Sequence, residues 1–372
     1  MKNRESIDIT EFQKYVKEGY FTLEKHPNAD LQIYGYSTGP LASKNLRWNP
    51  VTRQMRGLIT NSKGEIKARS FEKFFTFIKY TSPSTVQLSD GQLAKLPNLP
   101  YKVYEKLDGS LAVLYWIDDT PYLATQRSFT SLKAQKATEI LHQKYSHTFD
   151  KLKKDRTYIF EAIYPESKVL IDYGQEEKLI LLGVLDNKTG KDHPLEDIGF
   201  PIAKEWTQEV SNLKSFDELV SLNSENKEGL VIVYENGFRV KIKFPWYKEA
   251  HLMINKIIQY EYHIDLINKK LKNLLNLPEN KPNSIKIWER FNNNETVSDI
   301  LKDFPNQYQF LGIENILNKE FTKFKKTKNS VKTPSPDDSS LNIDLDINKN
   351  ILHPSSENIM WNRWKNLENK YD

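Results

Sequence analysis

The 372-residue chain contains no cysteine. That excludes disulfides, thiolate zinc sites and a cysteine nucleophile. Histidine is scarce, with seven scattered residues, which argues against a His-rich metal centre. No run of about 18 apolar residues is present and no signal-peptide pattern, so neither a membrane span nor export is expected and the location is read as cytoplasmic. No internal repeat is visible. A strong charge of one sign is missing too: 54 Lys and Arg against 49 Asp and Glu leave a net +5. That balance permits an anionic partner without demanding one. What is present, 38% apolar and 28% charged residues over a chain of this length, suits a folded protein of two domains.

The most informative stretch is Tyr104-Glu105-Lys106-Leu107-Asp108-Gly109-Ser110. A lysine closes a β-prone run, Asp108-Gly109 offers a tight turn, and Leu111 to Trp116 reads as the return strand of a hairpin. Lys-x-Asp-Gly is the signature of enzymes that attack a nucleotide α-phosphate with lysine, although a lysine before an Asp-Gly turn is more often a solvated corner. A nucleophilic lysine titrates near ~10.4 when free and must be made neutral by burial or neighbouring cations. It also requires cationic donors for the triphosphate, a carboxylate for a divalent metal and a group that fixes the ribose.

Along the chain, Thr10 to Glu18 is predicted helical and Leu31 to Tyr36 a strand, followed by Arg56-Gly57-Leu58-Ile59, a turn over Asn61 to Gly64, and a strand or bent segment from Ile66 to Phe77. Arg56 and Lys73 are candidate phosphate donors; alone, each reads as a surface cation. Pro121 to Arg127 should pair with Leu111 to Trp116 across Asp118 to Thr120. Ser131 to His147 has helical spacing. Thr157 to Tyr164 reads as a strand with Glu161 at its centre, where a carboxylate either faces water or is paired or used. Leu179 to Leu185 is apolar on both faces, as a buried strand would be.

Asn236-Gly237 is a strong hairpin signal. A two-residue turn would set Tyr234 opposite Arg239, Ile232 opposite Lys241 and Leu230 opposite Lys243. Val231, Val233, Val240, Ile242 and Phe244 would then form the core face. Glu228, Leu230, Ile232, Arg239, Lys241 and Lys243 would share the other, read as a cleft wall. From about Ala250 the spacing turns helical, Thr327 to Asn350 reads as a disordered linker, and the last residues as one more helix. The expected organisation is residues 1–250, 251–326 and 327–372.

The ordered set Arg56-Gly57, Glu72-Lys73-Phe74-Phe75, Lys106-Leu-Asp-Gly-Ser, Phe160-Glu161, Glu228-Gly229 and Lys241-Ile-Lys243 resembles the ATP-dependent RNA ligases of type 1 over roughly residues 30–250. The resemblance implies an α+β nucleotidyltransferase domain of antiparallel sheets flanked by helices; it fades beyond, where the spacing gives a mainly helical C-terminal domain at 251–326, expected to choose the RNA. It implies that Lys106 is adenylylated by ATP, that Arg56 and Lys73 hold phosphates, and that Tyr36 contacts the nucleoside. Glu161 would bind the ribose hydroxyls. Glu228 would anchor Mg2+, or Mn2+, through its waters. Lys241 and Lys243 would contact the α-phosphate and help depress the pKa of Lys106. Arg127 stands where the family usually has a lysine needed after adenylylation, and Tyr247 also matches. The family's C-terminal metal-linked acid has no match. RNA ends, single-stranded or tRNA anticodon-loop breaks, would be the partners of a monomer.

DNA ligases and capping guanylyltransferases share Lys-x-Asp-Gly, but they usually carry arginine where this chain has Leu111, and a β-barrel where it turns helical. A nucleotide- or RNA-binding protein of the same fold with reduced catalysis is the alternative from another class.

Overall fold

The computed structural model describes residues 7–37 and 48–248 except 168, 169, 172, 214 and 225, together with 251, 295, 296, 299 and 302. By contact density the chain divides into two compact units, 1–249 and 250–372. Only the first can be described; the helices expected beyond Ala250 and the linker at 327–350 lie outside the described residues, apart from those few positions.

The chain opens with α1 (Ile9–Lys17), capped by Asp8, whose carboxylate accepts from the backbone N–H groups of Thr10 and Glu11. Strands β1 (Phe21–Lys25), β2 (Gln32–Tyr36), β3 (Leu58–Thr60) and β4 (Ile66–Ala68) form a four-stranded sheet in chain order. Strands β5 (Phe75–Ser82), β6 (Thr85–Leu88), β7 (Leu93–Lys95) and β8 (Tyr101–Lys106) enter a second sheet. Strands β9 (Ser110–Ile117) and β10 (Thr120–Ala124) begin a third. After α2 (Leu132–Tyr145), capped by Ser131, β11 (Arg156–Ile163), β12 (Lys178–Asp186) and the two-residue β13 (Asp192–His193) complete that third sheet in the order β10-β9-β11-β12-β13. The short α3 (Phe216–Ser221) then leads to β14 (Gly229–Tyr234) and β15 (Arg239–Lys243), which insert into the second sheet to give β7-β6-β5-β15-β14-β8. Among the described strands every pairing is antiparallel except that of β15 with β5.

The five-stranded sheet buries both faces. On one side Ala137, Ile140 and Leu141 of α2 pack on Leu114, Leu123, Phe160 and Leu179. On the other, Ile33, Ile59 and Ala68 of the first sheet meet Val113, Tyr115 and Ala124. The run at 179–185 is therefore the doubly covered strand its composition predicts. The six-stranded sheet has its own core, in which Phe77, Val103, Leu230, Ile232, Val240, Ile242 and Phe244 pack with Phe216 and Leu219 of α3.

Three expectations are corrected. The Lys106 segment is not a hairpin: β8 pairs with β14, β9 with β10 and β11, and Leu107 to Gly109 crosses between two sheets. The segment from Ile66 to Phe77 holds two strands, β4 and the start of β5, which belong to different sheets. At Asn236-Gly237 the loop has three residues. Gly237 N–H donates to Tyr234 O at 2.8 Å, Tyr234 N–H to Phe238 O at 2.9 Å, and Gly237 takes φ +81°. This is a type I turn closed by a left-handed glycine bulge. It shifts the register by one, to Ile232↔Val240, Val231↔Lys241 and Gly229↔Lys243. A one-residue slip turns a strand over, so Leu230 and Ile232 lie in the core at 1% and 0% exposure, while Val231 and Val233 share the cleft face with Arg239, Lys241 and Lys243.

Candidate active site

The corrected register builds the site. Gly229 pairs with Lys106 on one side and with Lys243 on the other, so adjacent strands align both lysines on one face with no side chain between them. Gly229 has φ +151°, and a Cβ there would lie 1.9 Å from the Ile242 carbonyl oxygen; only glycine fits. Glu228, just before it, fills the gap. Its Oε2 accepts from Lys106 Nζ at 2.6 Å and its Oε1 from Lys243 Nζ at 3.0 Å, and only 4% of the residue is exposed.

This triad fixes the charge state of the candidate nucleophile. Burial pushes the Lys106 ammonium down, but Glu228, Glu161 and Asp108 outweigh it and hold the amine above its ordinary value. The direction of this shift is opposite to the depression expected from the neighbouring lysines. Lys241 is depressed furthest: burial, then repulsion from Lys106, Lys73, Arg56 and Lys243, carries it well below a normal lysine, and burial lowers Lys73 as well. Lys241 Nζ lies 5.5 Å from the Phe74 ring centroid. Glu228 is held below the usual carboxylate range, because Lys106 and Lys243 together overcome the effect of burial.

The Asp-Gly of the motif locks the crossing between sheets. Buried Asp108 accepts at Oδ2 from the backbone N–H groups of Leu170 (2.7 Å) and Ile171 (3.0 Å), and at Oδ1 from the Tyr247 hydroxyl (2.9 Å). The Asp108 N–H donates to the Tyr173 hydroxyl at 3.0 Å. Gly109 N–H donates to Glu161 Oε1 at 2.9 Å, and a Cβ on Gly109 would come within 2.7 Å of the Ala162 carbonyl oxygen. Close approach, not turn geometry, requires this glycine. Burial pushes the Glu161 carboxyl up to about 7, against the pull of Lys106. Glu161 is thus paired within its strand through the Gly109 N–H, beside the charge of Lys106.

On the opposite wall, Lys73 Nζ lies 4.8 Å from the ring centroid of Tyr36, 5.5 Å from Trp48 and 5.8 Å from Phe75. Burial would raise the Tyr36 phenol, but the charges of Lys73 and Arg56, with hydrogen bonds from Gln126 and Arg56, bring it below its ordinary value. Arg56 also donates to Ser70 Oγ at 3.4 Å. Arg127 packs under this wall: a Cβ on Gly35 would come 2.2 Å from Arg127 Cβ, so the glycine of Tyr34-Gly35-Tyr36 admits the 126–127 segment beneath Tyr36. Tyr247, over whose ring Lys243 Nζ lies at 4.7 Å, reaches the site through Asp108.

The predicted residues thus gather around one pocket. Lys106, Glu161, Glu228 and Lys243 are linked by contact or by charge, Lys241 is coupled to Lys106, Lys73 and Arg56, and Arg127 and Tyr247 support the walls. Sequence reasoning missed the locking role of Asp108, although its motif was in view. It also missed Trp48 and Tyr173, for which no local signal exists. Such a cluster of amines and guanidinium fits a triphosphate. Among the described residues no group of three or more His, Asp or Glu side chains could hold a metal ion by itself. The donor set therefore fits Mg2+ or Mn2+ only through one or two carboxylates, Glu228 foremost, shared with phosphate oxygens and water.

A protein of Thermovibrio ammonificans, provisionally named an RNA ligase, is 31% identical over 217 residues, covering 54% of each chain. The RNA ligase of Rhodothermus phage RM378 is 25% identical and covers 62% of this chain and 66% of its own length. The chain therefore spans about half to two thirds of these relatives. Among solved structures, an archaeal ATP-dependent RNA ligase superposes with a TM-score of 0.46 at 14% identity, over 70% of this chain and 66% of that one. The family model described as RNA ligase matches residues 54–247, more than half of the sequence and all the lysines and carboxylates of the pocket, so the chain belongs to the RNA ligase family.

Proposed function

We propose that this protein is an ATP-dependent RNA ligase that joins a 5′-phosphate to a 3′-hydroxyl through a lysyl-AMP intermediate, in RNA or tRNA repair. The observation that carries the reading is the Lys106–Glu228–Lys243 triad, aligned by Gly229 and walled by Glu161.

Lys106 Nζ, after losing a proton, forms a bond to the α-phosphorus of ATP as the bond to pyrophosphate breaks. Arg56, Lys73, Lys241 and Lys243 supply positive charge to the phosphates. Lys241, whose ammonium is disfavoured by burial and by the surrounding cations, is stabilised in its charged form when an anion arrives. Glu161 orients the ribose and Tyr36 the nucleoside. An oxygen of the RNA 5′-phosphate then displaces Lys106 from AMP, and a 3′-hydroxyl displaces AMP and seals the strand; Arg127 and Tyr247 serve these later steps. Glu228 would hold a divalent ion with the phosphate oxygens, and that ion would supply further neutralisation of phosphate charge. Choice of RNA falls to residues 251–326, in a monomer working in the cytoplasm. Among the described residues no helix is long and apolar enough to cross a membrane.

Incubation with α-labelled ATP tests the proposal. Label should attach covalently to Lys106, GTP should not substitute, and Lys106→Ala should abolish labelling. Label that survives this substitution refutes the assignment, and preference for GTP points to capping chemistry.

A further inference from the structure

A cavity of about 790 Å³ adjoins the site and shares Lys73 with it. Its walls come from residues 53–54, 69–75, 185–192 and 235–239; Lys106, Glu161, Glu228, Lys241 and Lys243 do not line it. Five cations do: Arg53, Arg69, Lys73, Lys191 and Arg239, against the carboxylates of Glu72, Asp192 and Glu235. Arg239 forms an ion pair with Asp192, so cationic charge remains in excess.

The arginines are held ready. The Arg53 guanidinium carbon lies 5.3 Å from the Phe75 ring centroid, and one of its amino groups donates to Gln92 Oε1 at 2.9 Å. Its Nε–H is buried and has no hydrogen-bond partner among the described residues. Arg239 lies 4.2 Å over Phe71. Arg69 donates to the Lys188 carbonyl oxygen at 3.3 Å, and a Cβ on Gly190, which has φ +70°, would come within 2.8 Å of its Nη1. Guanidinium groups laid on aromatic faces lose little freedom on meeting phosphate, and their planar donors match it.

Position gives the cavity its meaning. Arg239, Lys241 and Lys243 alternate along one face of β15, so a row of cations runs about 13 Å, at ~3.3 Å per residue, from the cavity to the Glu228 triad. Residues 69–75 are shared: Ser70 receives Arg56, and Lys73 belongs to both spaces. A row of cations of that length suits an extended anion better than a compact one. We propose that this cavity cradles the phosphodiester backbone of the RNA strand leading to the end being joined, a site that rests on the ligase reading for the identity of its polyanion.

The test uses the full chain, a 5′-phosphorylated single-stranded RNA oligonucleotide, and the variants Lys191→Gln and Arg53→Gln/Lys191→Gln. Lys191 is exposed, so the single variant keeps the test valid if the double one misfolds. RNA binding is followed by fluorescence anisotropy over a salt series, and lysyl-AMP formation by label. Each lost phosphate contact should flatten the slope of log affinity against log salt by about 0.7 for a single strand, hence about 1.4 for the double variant. Affinity at low salt should fall about tenfold or more, with lysyl-AMP formation at its wild-type ATP dependence. Unchanged affinity and slope in a folded double variant overturn the proposal. So does unchanged RNA binding with a raised ATP requirement, which would give the cavity to the triphosphate. Absence of lysyl-AMP in the wild type refutes the ligase reading instead, and the salt slope still reports on the cavity.

Discussion

Replacing Glu228 with Gln removes the one anion that two half-buried lysines share. Breaking a buried ion pair by removing one partner costs about 3–5 kcal/mol, because the remaining charge stays buried without compensation. Here the Lys106 and Lys243 side chains keep 21% and 25% exposure, so water relieves part of the penalty and the lower end, about 3 kcal/mol, is expected. For a unit of some 150–250 residues each kcal/mol lowers the melting temperature by roughly 2–4 °C, so calorimetry should show a fall of about 6–12 °C. The sign with pH is fixed. Glu228 is depressed in the folded protein, so its contribution is complete above the ordinary carboxylate value of 4.5 and is lost as pH falls through the depressed one. The variant should lack this part of the acid limb. Acylation of Lys106 near neutral pH, followed by peptide mass spectrometry, should be slower than for surface lysines in the wild type and faster in Glu228→Gln, since the main partner holding the ammonium charged is gone. A melting shift under about 2 °C with unchanged Lys106 reactivity would refute the buried-triad account.

Two other outcomes follow from neighbouring residues. Glu161 titrates near 7 in the folded protein against 4.5 ordinarily, so the folded state binds the extra proton and stability should fall as pH rises between those values, by at most about 1.4 kcal/mol per pH unit; Glu161→Gln should flatten that slope in urea titrations. Gly229→Ala must move backbone, since its Cβ would overlap the Ile242 carbonyl and its φ of +151° is unavailable to alanine without strain of about 1–3 kcal/mol. A lower melting temperature and loss of lysyl-AMP labelling are expected; full labelling at wild-type stability would show that strand alignment does not set the nucleophile.

Much of the site could be read from the sequence because its parts are short and local. Lys-Leu-Asp-Gly, Phe-Glu, Glu-Gly and Lys-Ile-Lys each mark a strand or its end, and their order is a property of the chain. The apolar run at 179–185 and the helical spacing after Ser131 are likewise local patterns, fixed by which residues must leave water. Alternation along 239–243 alone placed Arg239, Lys241 and Lys243 on one face.

Partners and charge states were decided only by the tertiary structure. Whether β8 turns back on β9 or crosses to another sheet depends on which distant strand offers it a partner, and β14 lies more than 120 residues away. The register of β14 on β15 hinged on one backbone angle at Gly237, and a single-residue slip exchanged Leu230 and Ile232 for Val231 and Val233 on the cleft face. The sequence supplied the lysines, but their proton affinities come from distances. Lys106 is held above its ordinary value chiefly by Glu228 at 2.6 Å, and Lys241 is carried well below its own because it is buried among cations.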